Sequence, residues 1–184
     1  LFYFLIVTNQ YYDKFSNSKG RYGLAIYANS NPTGAAKFAK ENELETKRCF
    51  SDYLSSAYFL WELRPHFESY IDLRDLDIFP KEFFDDFIRI THYTNYFDDS
   101  DTKYNYEYAM LYTWQFPNLH RYLYHSPKWK QVYADNVACV YVKNTPDNQK
   151  IISEFTPDST NLFGNFNASF QPEPKAISNG ISFL

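Results

Sequence analysis

The chain has 184 residues, a net charge of −4 and an apolar fraction of 45%, which is the balance of a globular domain and not of a disordered segment. Lys and Arg are scattered and never outnumber the acids over a long run, so nucleic acid is excluded as a partner. Aromatic residues make up 21% of the chain. They predict an aromatic core bounded by Tyr side chains, with a sugar-stacking surface as the alternative.

The chain begins with an apolar stretch, Leu1 to Thr8, that is far too short to cross a bilayer, which takes about 20 residues. It is compatible with the end of a membrane helix and equally with a buried segment. Asn9 to Gly20 is polar and predicts a helix end and a linker, and Tyr22 to Ala28 could be extended.

The first clear helix signal is a capping segment, residues 29–31, with Pro32 just inside it, and this helix should reach about Asn42. A short strand follows at Lys47 to Phe50. Asp52 is then placed to cap a second helix, whose apolar residues are spaced by three and four until Arg64-Pro65 ends it.

The central stretch runs from a predicted strand through a charged loop into a helix. Ser69 to Leu73 is half apolar and compatible with a strand. Pro80 then opens a helix that should reach about Tyr93, with Phe83, Phe87 and Ile90 on its buried face.

The second half of the chain predicts an acidic turn, a strand, a helix, a hairpin and a last helix. In chain order these are Asp98 to Lys103, Tyr108 to Thr113, a helix from Pro117 to Ser126-Pro127, the hairpin strands Trp129 to Ala134 and Val137 to Lys143, and Asn144 to Phe155. From Thr156 onward no period is visible, which predicts an irregular tail.

This alternation predicts an α/β fold, a three-layer α/β sandwich around a mixed sheet of about five strands that ends in an antiparallel hairpin. Numbered along the chain, the strands are expected in the order 2-1-3-5-4. Cys49 and Cys139 both lie in apolar strand-like stretches, so two free buried thiols are expected, with a single disulfide as the alternative.

Ligands of parallel sheets bind beyond the carboxyl ends of the strands. The candidate residues there are Asp52, Asp72, Arg74, Asp75, Asp77 and Trp114. A carboxylate-rich cleft could bind a cation or sugar hydroxyls, or supply the acid and base of glycoside chemistry. The alternative is structural, with Arg74 bridging neighbouring carboxylates and fixing the exit of the central strand.

The sequence gives little support to other kinds of functional site. No Gly-rich run stands at a junction between a strand and a helix, so a phosphate-binding loop is excluded. The four His are isolated, and His120 and His125 should lie on different faces of one helix. We therefore predict no catalytic residue, no metal site and no cofactor.

Five motifs, taken in their order along the chain, indicate a resemblance to a known family. They are Asn31 to Phe38 with Glu41-Asn42, Tyr53-Leu54 with Phe59 to Trp61, Tyr70 to Asp75 with Pro80 to Phe84, Lys103 to Tyr108, and Pro127 to Ala138 with Val140 to Lys143. Together they resemble the soluble carboxyl-terminal domain of bacterial multi-span membrane proteins similar to glycosyltransferases that use lipid-linked sugars. The resemblance covers about Asn29 to Phe155. Leu73 stands where that family usually has Gly between the Asp and Arg of the central loop.

The resemblance implies a non-catalytic domain on the extracytoplasmic, periplasmic face of a bacterial membrane. Residues 1–28 would be the end of a membrane-proximal helix and a linker, residues 29–155 the α/β domain, and residues 156–184 the tail. The membrane would be a partner through the N-terminal segment of the parent protein, and a glycan or protein would be a further partner. The alternative is a small carbohydrate-active enzyme that uses an Asp pair of the central loop.

Overall fold

The computed structural model describes residues 2–8, 10–15, 30–73 and 78–156. They form a mixed α/β fold around a four-stranded sheet. Its strands are β1 (Cys49–Ser51), β2 (Tyr108–Tyr112), β3 (Trp129–Ala134) and β4 (Ala138–Lys143). The strand order is β1-β2-β4-β3, with β1 parallel to β2 and the other two pairs antiparallel. The predicted order is therefore confirmed for the four strands that form.

Helices occupy most of the remaining described residues. They are α1 (Phe2–Val7), α2 (Gln10–Phe15), α3 (Thr33–Glu41), α4 (Ser56–Glu62), α5 (Lys81–His92), α6 (Thr94–Tyr104), α7 (Pro117–His125) and α8 (Gln149–Phe155). None of these helices is long and apolar enough to span a membrane.

The sheet carries one hydrophobic core on each face, because successive side chains of a strand point to opposite sides. The first core contains Met110 and Val140 of the sheet together with residues of α3, α4 and α8. The second core contains Leu111 and Tyr141 together with residues of α5, α6 and α7. Both faces of the sheet are therefore buried, which explains the nearly continuous apolar runs of β2 and β4.

Aromatic rings dominate the second core. The Phe50 ring lies 5.1 Å from that of Tyr70 and 5.3 Å from those of Phe97 and Tyr106, measured between centroids. Edge-to-face contacts of this kind stabilise a core beyond the apolar area that they bury. A large share of the aromatic content is thus used in packing, as the composition predicts.

The predicted central strand is wrong. Ser69 to Leu73 forms no strand, and the sheet of the described residues has four strands. Tyr70 and Ile71 are neighbours, yet both are buried in the second core. A strand would turn them to opposite faces, so packing against one face of the sheet excludes the alternation that a strand needs.

The predicted acidic turn at Asp98 to Lys103 is also wrong, because these residues belong to α6. Phe97 and Ser100 are buried three residues apart, and Tyr104 packs against the same core four residues later. This is helical spacing. The helix ends at Asn105, whose φ of 50° is left-handed and closes the last turn.

The predicted hairpin is confirmed, and one carboxylate organises its turn. Asp135 Oδ1 accepts hydrogen bonds from the amides of Val137 and Ala138 at 2.7 and 2.8 Å. Asp135 Oδ2 accepts one from the Tyr133 hydroxyl at 2.7 Å. Gly34 of α3 packs directly on the Tyr133 hydroxyl and leaves no room there for a Cβ. The turn is thereby locked to the first core.

Candidate functional site

Asp52 follows β1 at the edge where the sequence predicts a ligand crevice. Its side chain is fully buried. Oδ1 accepts hydrogen bonds from the amides of Leu54 and Ser55, both at 2.9 Å, in the turn just before α4, whose N-cap residue is Ser55 and not the predicted Asp52. Oδ2 accepts one from the amide of Tyr112 at 2.7 Å. One carboxylate thus joins the end of β1, the approach to α4 and the end of β2.

Two opposing effects act on the acidity of Asp52. Burial is the larger one and raises the pKa of the carboxyl, while the amide donors act in the opposite direction. Both oxygens already accept backbone hydrogen bonds, so the group is held by the scaffold. Its geometry is that of a structural hydrogen-bond acceptor and not of an acid or base facing a substrate.

The central loop is described only at its borders. Asp72 is buried, and its Oδ2 accepts a hydrogen bond from the Ser69 hydroxyl at 3.1 Å. Arg74, Asp75 and Asp77 lie outside the described residues. The expected contact of Arg74 with its neighbouring carboxylates therefore stays a prediction.

Trp114 follows β2 and is attached to the hairpin turn. Its indole Nε1 donates a hydrogen bond to the carbonyl of Asn136 at 2.6 Å, and 41% of its side chain is exposed. The nearby Thr113 hydroxyl donates to the carbonyl of Asp135 at 3.0 Å. Both residues fasten the end of β2 to the turn between β3 and β4.

A buried polar chain that sequence analysis missed lies in the second core. His120 Nδ1 lies 2.9 Å from the Tyr141 hydroxyl, and its Nε2 lies 3.2 Å from the carbonyl of Tyr112. A neutral ring that donates from Nε2 and accepts at Nδ1 satisfies both contacts. Burial lowers the pKa of His120 and raises that of Tyr141. His125, five residues on, is exposed, so the predicted difference in helix face is confirmed.

The two cysteines are free and buried. Cys49 belongs to the first core and Cys139 to the second, so the sheet separates their thiols. Burial raises the pKa of both thiols, that of Cys139 to about 11. Neither thiol has the character of a reactive nucleophile.

A groove with basic walls lies between α7 and the junction of α5 with α6, and we call it the basic groove. Its volume is about 740 Å³. It is lined by His92, Tyr93, Thr94, Asn95, Asn118, Arg121, Tyr122, His125, Ser126, Pro127 and Lys128. No carboxylate is among these lining residues. Only the pairing of α7 with the junction of α5 and α6 assembles the groove, so no local sequence pattern could have revealed it.

Within the described ranges, no group of three or more His, Cys, Asp or Glu side chains could hold a metal ion. Comparison of the chain with protein-family models, curated proteins and solved structures finds no match in any of the three.

Proposed function

We propose that this chain is a non-catalytic, extracytoplasmic domain of a bacterial multi-span membrane protein similar to the glycosyltransferases that use lipid-linked sugars. Its role is structural, with contacts to a glycan or to a partner protein. The membrane is reached through the N-terminal segment.

The observation that carries this proposal is the exposure of α1. All six residues of this helix are apolar, and none of them is buried. The side chains of Phe2, Tyr3 and Phe4 are 63%, 73% and 59% exposed. The Phe2 ring contacts that of Tyr11 in α2 at 5.5 Å, but no residue of α1 is buried among the residues that the structure describes. A short helix that is apolar on every side and this exposed is unfavourable in water and favourable at the apolar layer of a bilayer.

The non-catalytic part of the proposal is supported by Asp52. This candidate acid accepts three backbone hydrogen bonds and faces no cavity named above. A carboxylate fixed in this way serves the fold, whereas a general acid or base needs access to the substrate.

We also propose a three-layer α/β sandwich as the architecture of the whole domain. The two cores on opposite faces of the sheet, each with its own set of helices, support this proposal. The expected fifth strand at residues 69–73 is not part of it.

A pair of topology reporters tests the location. An alkaline phosphatase, which is active only after export, and a fluorescent protein are each fused after Phe155 in the full-length parent protein. Phosphatase activity without fluorescence is expected. Fluorescence without phosphatase activity would place the domain in the cytoplasm and overturn the proposal.

Vesicle flotation tests the role of α1. The 184-residue chain should float with phosphatidylglycerol-containing vesicles, and a Phe2→Ser, Phe4→Ser variant should remain in the soluble fraction. The matched control is Leu54→Ser, Ile88→Ser, which removes two exposed apolar side chains elsewhere (46% and 41% exposed). Equal flotation of both variants would contradict a membrane role for α1.

A turnover assay tests the non-catalytic assignment. The chain should release no product from a panel of oligosaccharides. Turnover that disappears in an Asp75→Asn variant would instead establish the enzyme alternative, with the central loop as its site.

A further inference from the structure

The basic groove is a positive region on a chain of net negative charge. Arg121 and Lys128 supply its cations, and the imidazoles of His92 and His125 stand beside them. The neighbouring carboxylate of Asp98 accepts a hydrogen bond from the Tyr122 hydroxyl at 2.5 Å and lies 3.8 Å from Lys128 Nζ. Because Asp98 is already engaged, it leaves the cation of Arg121 uncompensated.

Arg121 is the best anchor in the basic groove for an anionic group. Its guanidinium makes no hydrogen bond or ion pair with any residue that the structure describes, and its side chain is exposed. A guanidinium offers a planar fork of donors that matches the two oxygens of a carboxylate. Arg121 is therefore free to bind a carboxylate from solution.

The other walls of the basic groove suit a sugar. The Tyr93 ring is 61% exposed and presents an aromatic surface to the apolar face of a pyranose. Asn95 and Asn118 are exposed, and their amides both donate and accept hydrogen bonds, which suits hydroxyl groups. A volume of about 740 Å³ is within the range of ligand sites and leaves room for more than one sugar ring.

We propose that the basic groove binds an oligosaccharide of uronic acids, with a sugar carboxylate on Arg121 and a pyranose ring against Tyr93. This inference specifies the glycan of the contact role proposed above, and it rests on that role for the choice of sugars as the ligand class.

Calorimetric titration of the 184-residue chain with trigalacturonic acid tests the inference. Maltotriose serves as the neutral probe and inorganic phosphate as the bare anion. Trigalacturonic acid should bind at least about tenfold more tightly than either, because it alone engages both the cation and the ring. Arg121→Gln should weaken its binding roughly tenfold, as expected when one charged hydrogen-bonding partner is lost.

Arg64→Gln is the matched control. Arg64 is exposed and follows α4, whose buried residues belong to the first core, whereas the basic groove lies beside the second. The substitution makes the same change of charge, so it should leave the affinity unchanged. Equal losses in the two variants would mean unspecific attraction of anions and would overturn the inference. Melting curves verify that both variants are folded.

Tyr93→Ala separates sugar recognition from anion binding. It should weaken trigalacturonic acid severalfold and leave the binding of inorganic phosphate unchanged. Binding of sucrose octasulfate, a sulfated sugar without any uronic acid, in the absence of any binding of trigalacturonic acid would overturn the choice of uronic acids. If none of the three sugars binds but the phosphatase reporter shows export, this inference is overturned and the proposed location stands. If trigalacturonic acid binds but the reporter is cytoplasmic, only the proposed location is overturned.

Discussion

Asp52 shows how a single side chain can connect elements that are distant in sequence. It accepts the amide of Ser55 just before α4 and also that of Tyr112, sixty residues later. Removal of the carboxylate would leave buried amides without an acceptor, which costs more than the loss of an exposed contact.

Asp52→Ala should lower the free energy of unfolding by at least about 2 kcal/mol. Three amides lose their acceptor, and each buried donor left unpaired costs about 1 to 3 kcal/mol. Urea denaturation measures the change. The exposed Asp99→Ala provides the control and should stay within about 0.5 kcal/mol of the parent chain. An Asp52→Ala variant that was as stable as the parent chain but no longer bound glycan would instead show that Asp52 belongs to a ligand site.

His120 makes stability depend on pH. Its pKa is lower in the folded chain than the ordinary value of 6.5, because burial disfavours the imidazolium. The unfolded chain therefore binds more protons in the window below 6.5. The stabilisation is fully present above pH 6.5 and is lost as the pH falls through the folded pKa.

The measurement is a series of melting curves between pH 7.5 and 5.5 for the parent chain and for His120→Gln. The parent chain should lose stability toward acid with a steeper slope than the variant, the difference being at most about 1.4 kcal/mol per pH unit. His66→Gln removes an exposed histidine and controls for the substitution itself. Equal slopes in the parent chain and His120→Gln would contradict a buried neutral imidazole.

At the scale of elements, α6 is held to the end of β4 by an ion pair. Lys143 Nζ lies 2.7 Å from Asp101 Oδ1, and the two side chains are 19% and 10% exposed. The same carboxylate oxygen accepts the amide of Tyr106 at 3.1 Å. Lys143 Nζ also lies 5.7 Å from the centre of the Trp129 ring. The ion pair between Lys143 and Asp101 thus stabilises a helix whose acidic sequence is typical of a turn.

Lys143→Met should destabilise the chain by about 1.5 to 3 kcal/mol, the range for hydrogen bonds to charged groups. Lys37→Met is the matched substitution, because Lys37 pairs with Glu41 at 3.7 Å while their side chains are 75% and 62% exposed. Such exposed pairs contribute little, so its cost should stay below about 1 kcal/mol. Chemical denaturation compares the two, and equal costs would mean that the Asp101 pair adds nothing to α6.

At the scale of the molecule, one sheet separates two cores but also couples them. Met110 and Leu111 are adjacent on β2 and fully buried, and each belongs to a different core. Loss of the sheet would disrupt the packing of both cores at once, so we expect unfolding to be a single transition.

Met110→Ala and Leu111→Ala should each cost about 2 to 5 kcal/mol and each give one cooperative melt. Circular dichroism and tyrosine fluorescence should report the same midpoint within each variant. Separate midpoints for the two probes would show that the cores unfold independently.

The amino-acid sequence by itself determined the elements whose signals are local. Pro residues mark the starts of α3, α5 and α7, although the structure shows no side-chain cap at any of the three. The apolar runs with Asp135-Asn136 between them mark the β3–β4 hairpin. The order of the four strands also followed from the sequence, because short connections and crossover rules leave few arrangements.

Tertiary structure alone decided the conformation of those segments whose sequence pattern disagrees with their packing. Residues 69–73 resemble a strand, but the second core takes up Tyr70 and Ile71 together, and this packing overrides the propensity of so short a segment. Helix α6 is paired with Lys143, which follows Asp101 by 42 residues in the chain. The basic groove combines α7 with a junction more than twenty residues earlier, and only the folded chain brings these side chains together.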